Sequence, residues 1–339
     1  MGRTKDISQE KRALVTGGAG FIGSHLLEAL FKNGWATHCI DALTYAGSKQ
    51  NLTAVAGKAH QHFTHGNILD RPAIEAILYE FKPTHIFHLA AESHVDRSIE
   101  NADDFIQTNI VGTTTLLDLF SAYYASSKLE GVKFIHVSTD EVFGALGNEG
   151  TFDETSPYRP NSPYSASKAA SDHLARAWAN TYDLPIIITN CSNNFGPHQH
   201  NEKLIPTIIN KALSGKPIPI YGLGENIRDW LYVKDHVDAL LSIADASEPA
   251  TQYCIGGGYE ISNLFLCEKI CSELDRIRPQ DKHKYASQIT FVDDRKGHDF
   301  RYAIDSSKIK NDLGWEPKHD FDKALIQTIE FYVARYHDQ

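Results

Sequence analysis

Lys11-Arg12-Ala13-Leu14-Val15-Thr16-Gly17-Gly18-Ala19-Gly20-Phe21-Ile22-Gly23 is the stretch on which the fold turns. Its first six residues carry a short apolar run of buried-strand length, and Gly17-Gly18 stops it. Beyond the glycines the apolar residues take helical spacing, in Phe21, Ile22, Leu26, Leu27, Leu30 and Phe31, until Asn33-Gly34 ends the run. Strand, glycine turn and helix in that order open a strand–helix–strand unit.

The same rhythm continues outward. Strands fit 36–41, 84–90, 133–138 and 185–189, and helices fit 71–80, 103–125 and 164–182. Alternation of this kind predicts an α/β fold, a Rossmann-type doubly wound parallel sheet with right-handed crossovers. After about 190 the rhythm breaks up at Pro197, Pro206, Pro217 and Pro219, and weaker helices fit 203–214, 235–246, 262–277 and 321–337. With no linker between them, the two parts are expected to interleave. Residues 1–190 plus about 229–258 form the sheet domain, and 191–228 plus about 259–339 form a smaller lobe that walls a cleft.

The 339 residues are 42% hydrophobic and 22% charged, with a net charge of −10. That composition is globular, and its sign argues against a nucleic-acid or anionic-membrane binder. No apolar run approaches the ~20 residues that cross a bilayer, and the polar start Met1–Asp6 has no signal-peptide core. Five scattered cysteines, Cys39, Cys191, Cys254, Cys267 and Cys271, read as reduced thiols. The expectation is a cytoplasmic protein. No metal is expected. Cys267 and Cys271 lack a second pair at zinc spacing, while His60, His62 and His65 fit a polar strand edge. His198 and His200 make no better ligand set.

The spacing G-x-x-G-x-x-G suits a dinucleotide. Gly17 can make the tight turn, Gly20 lets the backbone approach a pyrophosphate, and Gly23 lets the helix pack on the sheet. The helix start then offers free N–H groups. Alone, the pattern also fits a simple tight turn. Asp41, at the end of the second strand, adds an acceptor for an adenosine ribose and would repel a 2′-phosphate, which favours NAD over NADP. Tyr164 and Lys168 stand four apart on one helical face, where a lysine cation would stabilise a phenolate well below a free pKa of ~10.

With these residues the chain resembles the extended short-chain dehydrogenase/reductase family, and within it the branch of dTDP-glucose 4,6-dehydratases. The resemblance runs from about 12 to about 335, through GGAGFIGSH, HLAAESHVDRSI, HVSTDEVFG, SPYSASKAASDHLARAW, TNCSNNFGP and RDWLYVKDH. Thr139-Asp140-Glu141 is its discriminating piece. A nucleotide-sugar epimerase needs no acid pair there, whereas a dehydratase must break a C5–H and a C6–O bond. The resemblance implies Thr139, Asp140, Glu141, Tyr164 and Lys168 as catalytic residues. Tyr164, aided by Thr139, takes the C4 hydroxyl proton as hydride leaves C4. Glu141 takes the C5 proton, Asp140 protonates the departing C6 hydroxyl, and hydride returns to C6.

It also implies a tightly held NAD, surrounded by Gly17, Gly20, Phe21, Ile22, Gly23, Asp41, Leu43, Thr44, Ala46, Gly47, Asn67, Ile68, Ala90, Ala91, Ser93, Thr108, Tyr164 and Lys168. For dTDP-glucose it implies Ser93, Thr139, Asn193, Glu202, Lys203 and Leu204 near sugar and diphosphate, and Pro219 and Tyr221 flanking the base. Arg228 and Arg295 would oppose the diphosphate, and Asn263, His298 and Tyr302 would complete the wall. A homodimer through helices 103–125 and 164–182 is the implied assembly. Four positions depart from the family pattern: Phe143 and Phe195 stand for tyrosines, and Asn201 and Lys296 for prolines. A dehydratase or 4-epimerase for a UDP-, CDP- or GDP-linked sugar is the alternative reading.

Overall fold

The computed structural model describes residues 10–127, 129–246, 251–281 and 283–337, so the start Met1–Asp6 lies outside the described residues. Its strands are β1 (Arg12–Thr16), β2 (Ala36–Asp41), β3 (Gln61–His65), β4 (His85–His88), β5 (Lys133–Thr139), β6 (Ile186–Cys191), β7 (Asn193–Phe195), β8 (Ile218–Tyr221), β9 (Ile227–Tyr232), β10 (Gln252–Ile255), β11 (Glu260–Ser262) and β12 (Ile289–Val292). Seven of them form one parallel sheet in the order β10-β6-β5-β4-β1-β2-β3. The chain runs outward from β1 through β2 and β3, then returns to lay β4 on the other side of β1. That reversal opens a crevice at the carboxyl ends of β1 and β4.

Parallel strands are covered on both faces, which is why β1 reads as a continuous apolar run. Ala13 and Val15 pack under α1 (Phe21–Lys32) and α8 (Val233–Asp245) with Leu26, Leu27, Leu240 and Ile243. Leu14 faces the other way, with Ile86 and Phe134, under α2 (Arg71–Phe81), α5 (Thr113–Ser126) and α6 (Pro163–Tyr182). Leu14 is fully buried, and its truncation to alanine would cost roughly 2–5 kcal/mol.

The lobe is built on α7 (Leu204–Leu213), α9 (Asn263–Ile277) and α11 (Phe321–His337), whose apolar faces share one core. Two small sheets, β11-β9-β7 and β12-β8, complete it. β9 is the seam. Its Leu231 packs into the core under the large sheet, and its Trp230 and Tyr232 pack into the lobe. α10 (Ser307–Leu313), within the carboxy-terminal segment, sends Ile309 to the large-sheet core, with Trp315 behind it.

The helix expected over 103–125 is not uniform. After α3 (Val95–Glu100) comes α4 (Asp103–Phe105), then a π-helical stretch over Ile106–Gly112 leads into α5. Apolar periodicity does not separate a π turn from an α turn, because the extra residue is absorbed within a few positions. β3, with His62 and His65, forms the polar edge of the sheet.

Candidate active site

A cleft of about 300 Å3 opens at the crevice. Of the residues expected around the cofactor, all but Leu43 line it. Leu43 contributes through its backbone: its N–H donates to Asp41 Oδ1 at 2.7 Å, from a left-handed conformation at φ 50°. Asp41 Oδ2 accepts from the Ala19 N–H at 2.8 Å, so the carboxylate ties the loop after β2 to the glycine turn. Two glycines are required by space. A Cβ on Gly17, at φ 71°, would lie 2.7 Å from the Ala90 nitrogen, and a Cβ on Gly23 would collide with the Gly17 carbonyl. α1 starts at Gly20 with no side-chain cap and no acid in its first turn, which leaves its N–H groups for an anion. Backbone held this close, an uncapped helix start and an acid at the second strand's end fit a dinucleotide.

The residues expected to be catalytic converge at the end of β5. Thr139 closes the strand and begins a 3-10 turn over Asp140–Phe143. Its hydroxyl donates to Asp140 Oδ1 at 3.2 Å and accepts from the Glu141 N–H at 3.3 Å. α6 brings Tyr164 and Lys168 from the next element. Its start is held by Ser162 and Ser165 bonding one another's backbone N–H, with Pro163 in the first turn. Tyr164 and Lys168 are both buried, and Lys168 Nζ donates to the Val137 carbonyl at 2.9 Å.

Electrostatics separate the two carboxyl groups. Burial pushes Asp140 well above the usual carboxylate range, and the charges of Glu141 and Asp229 push it further. Burial also raises Glu141, but Lys203, Arg295 and Arg228 pull it back toward the ionised form. Both carboxyls are thus raised by burial; the neighbouring charges, Arg228 excepted, push Asp140 further toward the protonated form, and the cations near Glu141 oppose its rise. Tyr164 departs from the sequence expectation. Burial and then the Glu141 charge push the phenol well above 10, and Lys168 does not reverse it.

The residues expected to bind substrate divide. Ser93, Thr139, Asn193, Glu202 and Lys203 line the same cleft, while Leu204, Pro219, Tyr221, Arg228, Asn263, Arg295, His298 and Tyr302 do not. Glu202 is already engaged, pairing with Arg97 and lying 3.5 Å from His94 Nε2 and 3.7 Å from His200 Nδ1. Arg97 also stacks 4.1 Å over the Tyr45 ring, and Lys203 donates to the Ser93 carbonyl at 2.7 Å. Three loops are thereby clasped across the cleft mouth. Arg228 is buried, and its guanidinium donates to the carbonyls of Ile227, Asp299 and Phe300 at 2.8–3.3 Å while lying 4.4 Å over the Tyr302 ring. These contacts brace the 299–302 segment and engage only part of the five-donor guanidinium. Arg295 is different: its Nε is buried without a partner, and its Nη1 stands 3.6 Å from Asp96. Asn193 Oδ1 and Asn263 Oδ1 are also buried and unpaired. His298 Nδ1 is engaged with Asp294 at 2.7 Å, and Tyr302 donates to Asp299 at 2.6 Å. Tyr221 reaches Asp96 at 3.4 Å, Pro219 is exposed on β8, and Leu204 packs on the lobe core.

Three departures from the family pattern have local reasons. Phe143 packs between Phe152 and Tyr158, and Phe195 against Trp230, Tyr232 and Phe321, both in dry cores with no call for a hydroxyl. Asn201 accepts the Tyr336 hydroxyl at 2.5 Å. Nothing in the structure explains Lys296. Sequence reading missed Asn109, which sits on the π-helical stretch. Its side chain accepts from the Glu92 N–H and donates to the Glu92 carbonyl and the Ser167 hydroxyl, each at 2.9 Å. A polar residue recurring on the apolar face of a helix was the available signal. Tyr45, Arg97 and Asp229 carried none.

The comparisons with known proteins agree with this geometry. Residues 14–328 match the family model described as GDP-mannose 4,6 dehydratase. A probable dTDP-glucose 4,6-dehydratase of Sinorhizobium fredii is 50% identical, over 95% of this chain and 93% of its own. The dTDP-glucose 4,6-dehydratase 1 of Escherichia coli is 47% identical, over 95% and 93%. Among solved structures, DesIV of Streptomyces venezuelae, a dTDP-glucose 4,6-dehydratase with NAD bound, superposes with a TM-score of 0.89 at 41% identity, over 96% of this chain and 98% of its own.

Proposed function

The chain belongs to the family of dTDP-glucose 4,6-dehydratases, and from that premise we propose how its residues divide the work of the reaction. The enzyme is an NAD-dependent hydro-lyase of deoxysugar biosynthesis that takes dTDP-glucose to dTDP-4-keto-6-deoxy-glucose with loss of one water. NAD, when bound, accepts hydride from sugar C4 and supplies it again to C6, so it is not consumed. Tyr164 takes the proton of the C4 hydroxyl, with Thr139 holding that oxygen in line. The ketone left at C4 acidifies the C5 proton, and Glu141 removes it. Asp140 gives its proton to the C6 hydroxyl, which leaves as water. The protons gained by Tyr164 and Glu141 balance the one Asp140 gives up and the one C5 regains.

The observation that carries this reading is the pair of adjacent buried carboxyl groups at the end of β5, where Glu141 and Asp229 raise Asp140 further and Lys203, Arg295 and Arg228 oppose the rise of Glu141. Arg295, whose Nε donor is buried without a partner, is the wall residue whose free donor supports a role on the diphosphate side of the substrate. Residues 1–190 plus about 229–258 would serve the cofactor, and 191–228 plus about 259–339 the nucleotide sugar. The partner is a second copy of the chain, through helices 103–125 and 164–182. Ile106, Val111 and Tyr124 stand exposed on the first of these and Tyr182 on the second, which supports the assembly. Among the described residues no helix is long and apolar enough to cross a membrane. Together with five free, buried thiols, this supports work in the cytoplasm.

Mass spectrometry of dTDP-glucose incubated with the enzyme in heavy water tests the assignment. Loss of one water, one deuterium kept at C5 and no accumulated NADH are expected. An unchanged mass from folded, NAD-loaded protein would overturn it, and UDP-, CDP- and GDP-glucose would then be tried in turn.

A further inference from the structure

Lys168 lies out of water at the floor of the cleft, and its ammonium has one neutral acceptor, the Val137 carbonyl at 2.9 Å. One carbonyl does not repay the desolvation of a cation. Burial draws its pKa down, and the groups that draw it back are Asp172 and then Cys191. Cys191 is itself pushed up to about 12 by burial, so its thiol carries no charge near neutrality. Asp172 is left as the anion that acts on Lys168.

Asp172 stands one turn beyond Lys168 on the same face of α6. Its carboxylate is fully buried and held by three donors from three elements: Oδ1 accepts from His136 Nε2 at 3.1 Å, and Oδ2 from the Tyr158 hydroxyl at 2.9 Å and Asn190 Nδ2 at 3.1 Å. Burial alone would raise its pKa. The His136 hydrogen bond, then electrostatic attraction to His136 and then the Lys168 charge more than reverse that and lower it. His136 stays neutral, since burial and then the Lys168 charge lower its pKa. The groups coupled to Lys168 are thus Asp172 from its own helix, His136 from β5, His88 from β4 and Cys191 from β6, while Tyr164 stands one turn before it on the same helical face. His88 is neutral too, lowered by burial and bonded to Thr16 and Thr113. Around one buried cation the protein has placed one buried anion, and no step of the sugar chemistry uses that anion.

We propose that Asp172 is a positioning residue for the oxidation step, the buried counter-ion that keeps the Lys168 ammonium charged and in place beside Tyr164. It touches neither sugar nor cofactor; it acts through Lys168. The inference rests on the roles given to Tyr164 and Lys168 above. Asp172→Asn tests it well, because shape is kept and charge is lost. His136 can then carry its proton on Nδ1, which has no partner at present, and accept through Nε2.

The test is a pH titration of the full-length protein as purified, with 13Cε-labelled lysine read by NMR. The Lys168 signal is assigned by its loss in Lys168→Arg. The expected result is a wild-type Lys168 that stays protonated through about pH 9 and an Asp172→Asn protein in which it titrates at least about one unit lower. The alkaline limb of the kcat profile moves down with it, while KM for dTDP-glucose changes less than about two-fold. Asp172→Glu restores the limb. Tyr158→Phe removes a donor but no charge and leaves the limb where it was, whereas a merely structural Asp172 would make the Asn and Phe variants alike. A wild-type Lys168 that titrates below about pH 8, or one unmoved by Asp172→Asn, overturns the proposal. If Asp172→Asn does not fold, the wild-type titration decides alone. That titration is read without substrate, so it stands apart from any failure of the dehydratase assignment.

Discussion

Asp140 and Glu141 are both raised by burial and differ in the neighbouring charges that act next, and two predictions belong to them. Asp140→Asn and Glu141→Gln should each lower turnover by about 10²–10⁴-fold, the usual worth of a placed acid or base, with substrate affinity nearly unchanged. Only Glu141→Gln should also stop solvent deuterium from entering C5, as mass spectrometry of substrate and product would show. The second prediction concerns stability. Asp140 has a folded pKa well above its unfolded value of 3.8. Between those two values the folded state binds the extra proton, so the stability it lends at low pH is lost as pH rises toward the folded pKa. Asp140→Asn removes that loss. Thermal unfolding should show the variant gaining on the wild type as pH rises from 4 to 8; a gap that does not change with pH would refute the assignment of a buried, protonated Asp140.

At the scale of elements, the cleft mouth is held by loops from different parts of the chain. Tyr45 follows β2, Arg97 lies on α3, and His200 and Glu202 precede α7. The Arg97 side chain is 45% exposed, so its ion pair is weakened by solvent, and stacking on Tyr45 adds a comparable small amount. Together they suggest about 1 kcal/mol across the mouth. Arg97→Ala should therefore release NAD several-fold faster, measured by displacement with fluorescent NADH, while leaving the fold's far-UV spectrum unchanged. An unaltered release rate would show that the clasp does not hold the cofactor.

For the whole molecule, the π-helical stretch leaves Ile106 and Val111 exposed, α5 leaves Tyr124, α6 leaves Tyr182 and α3 leaves Ile99. Light scattering should give a dimer, and Ile106→Glu with Val111→Glu should give a monomer; a wild-type monomer at micromolar concentration would remove the expected partner. The architecture was legible because parallel strands buried on both faces and amphipathic helices write different periods into the chain. The glycine turn, Asp41, Thr139-Asp140-Glu141 and Tyr164/Lys168 were legible for a related reason: each is a short, local pattern with a chemical purpose. The bonds of Arg228 to the carbonyls of Asp299 and Phe300 were not legible, because those acceptors are distant in sequence.

By itself the sequence determined the doubly wound sheet and the cofactor turn and marked the candidate reacting groups, since these depend on local spacing and side-chain chemistry. Only the tertiary structure decided which charges act on each carboxyl, that Arg228 braces a loop, that Glu202 closes a clasp and that Asp172 faces Lys168 from within the core. Each of those depends on burial and on charges brought together from remote segments, and no local pattern records which remote groups will meet.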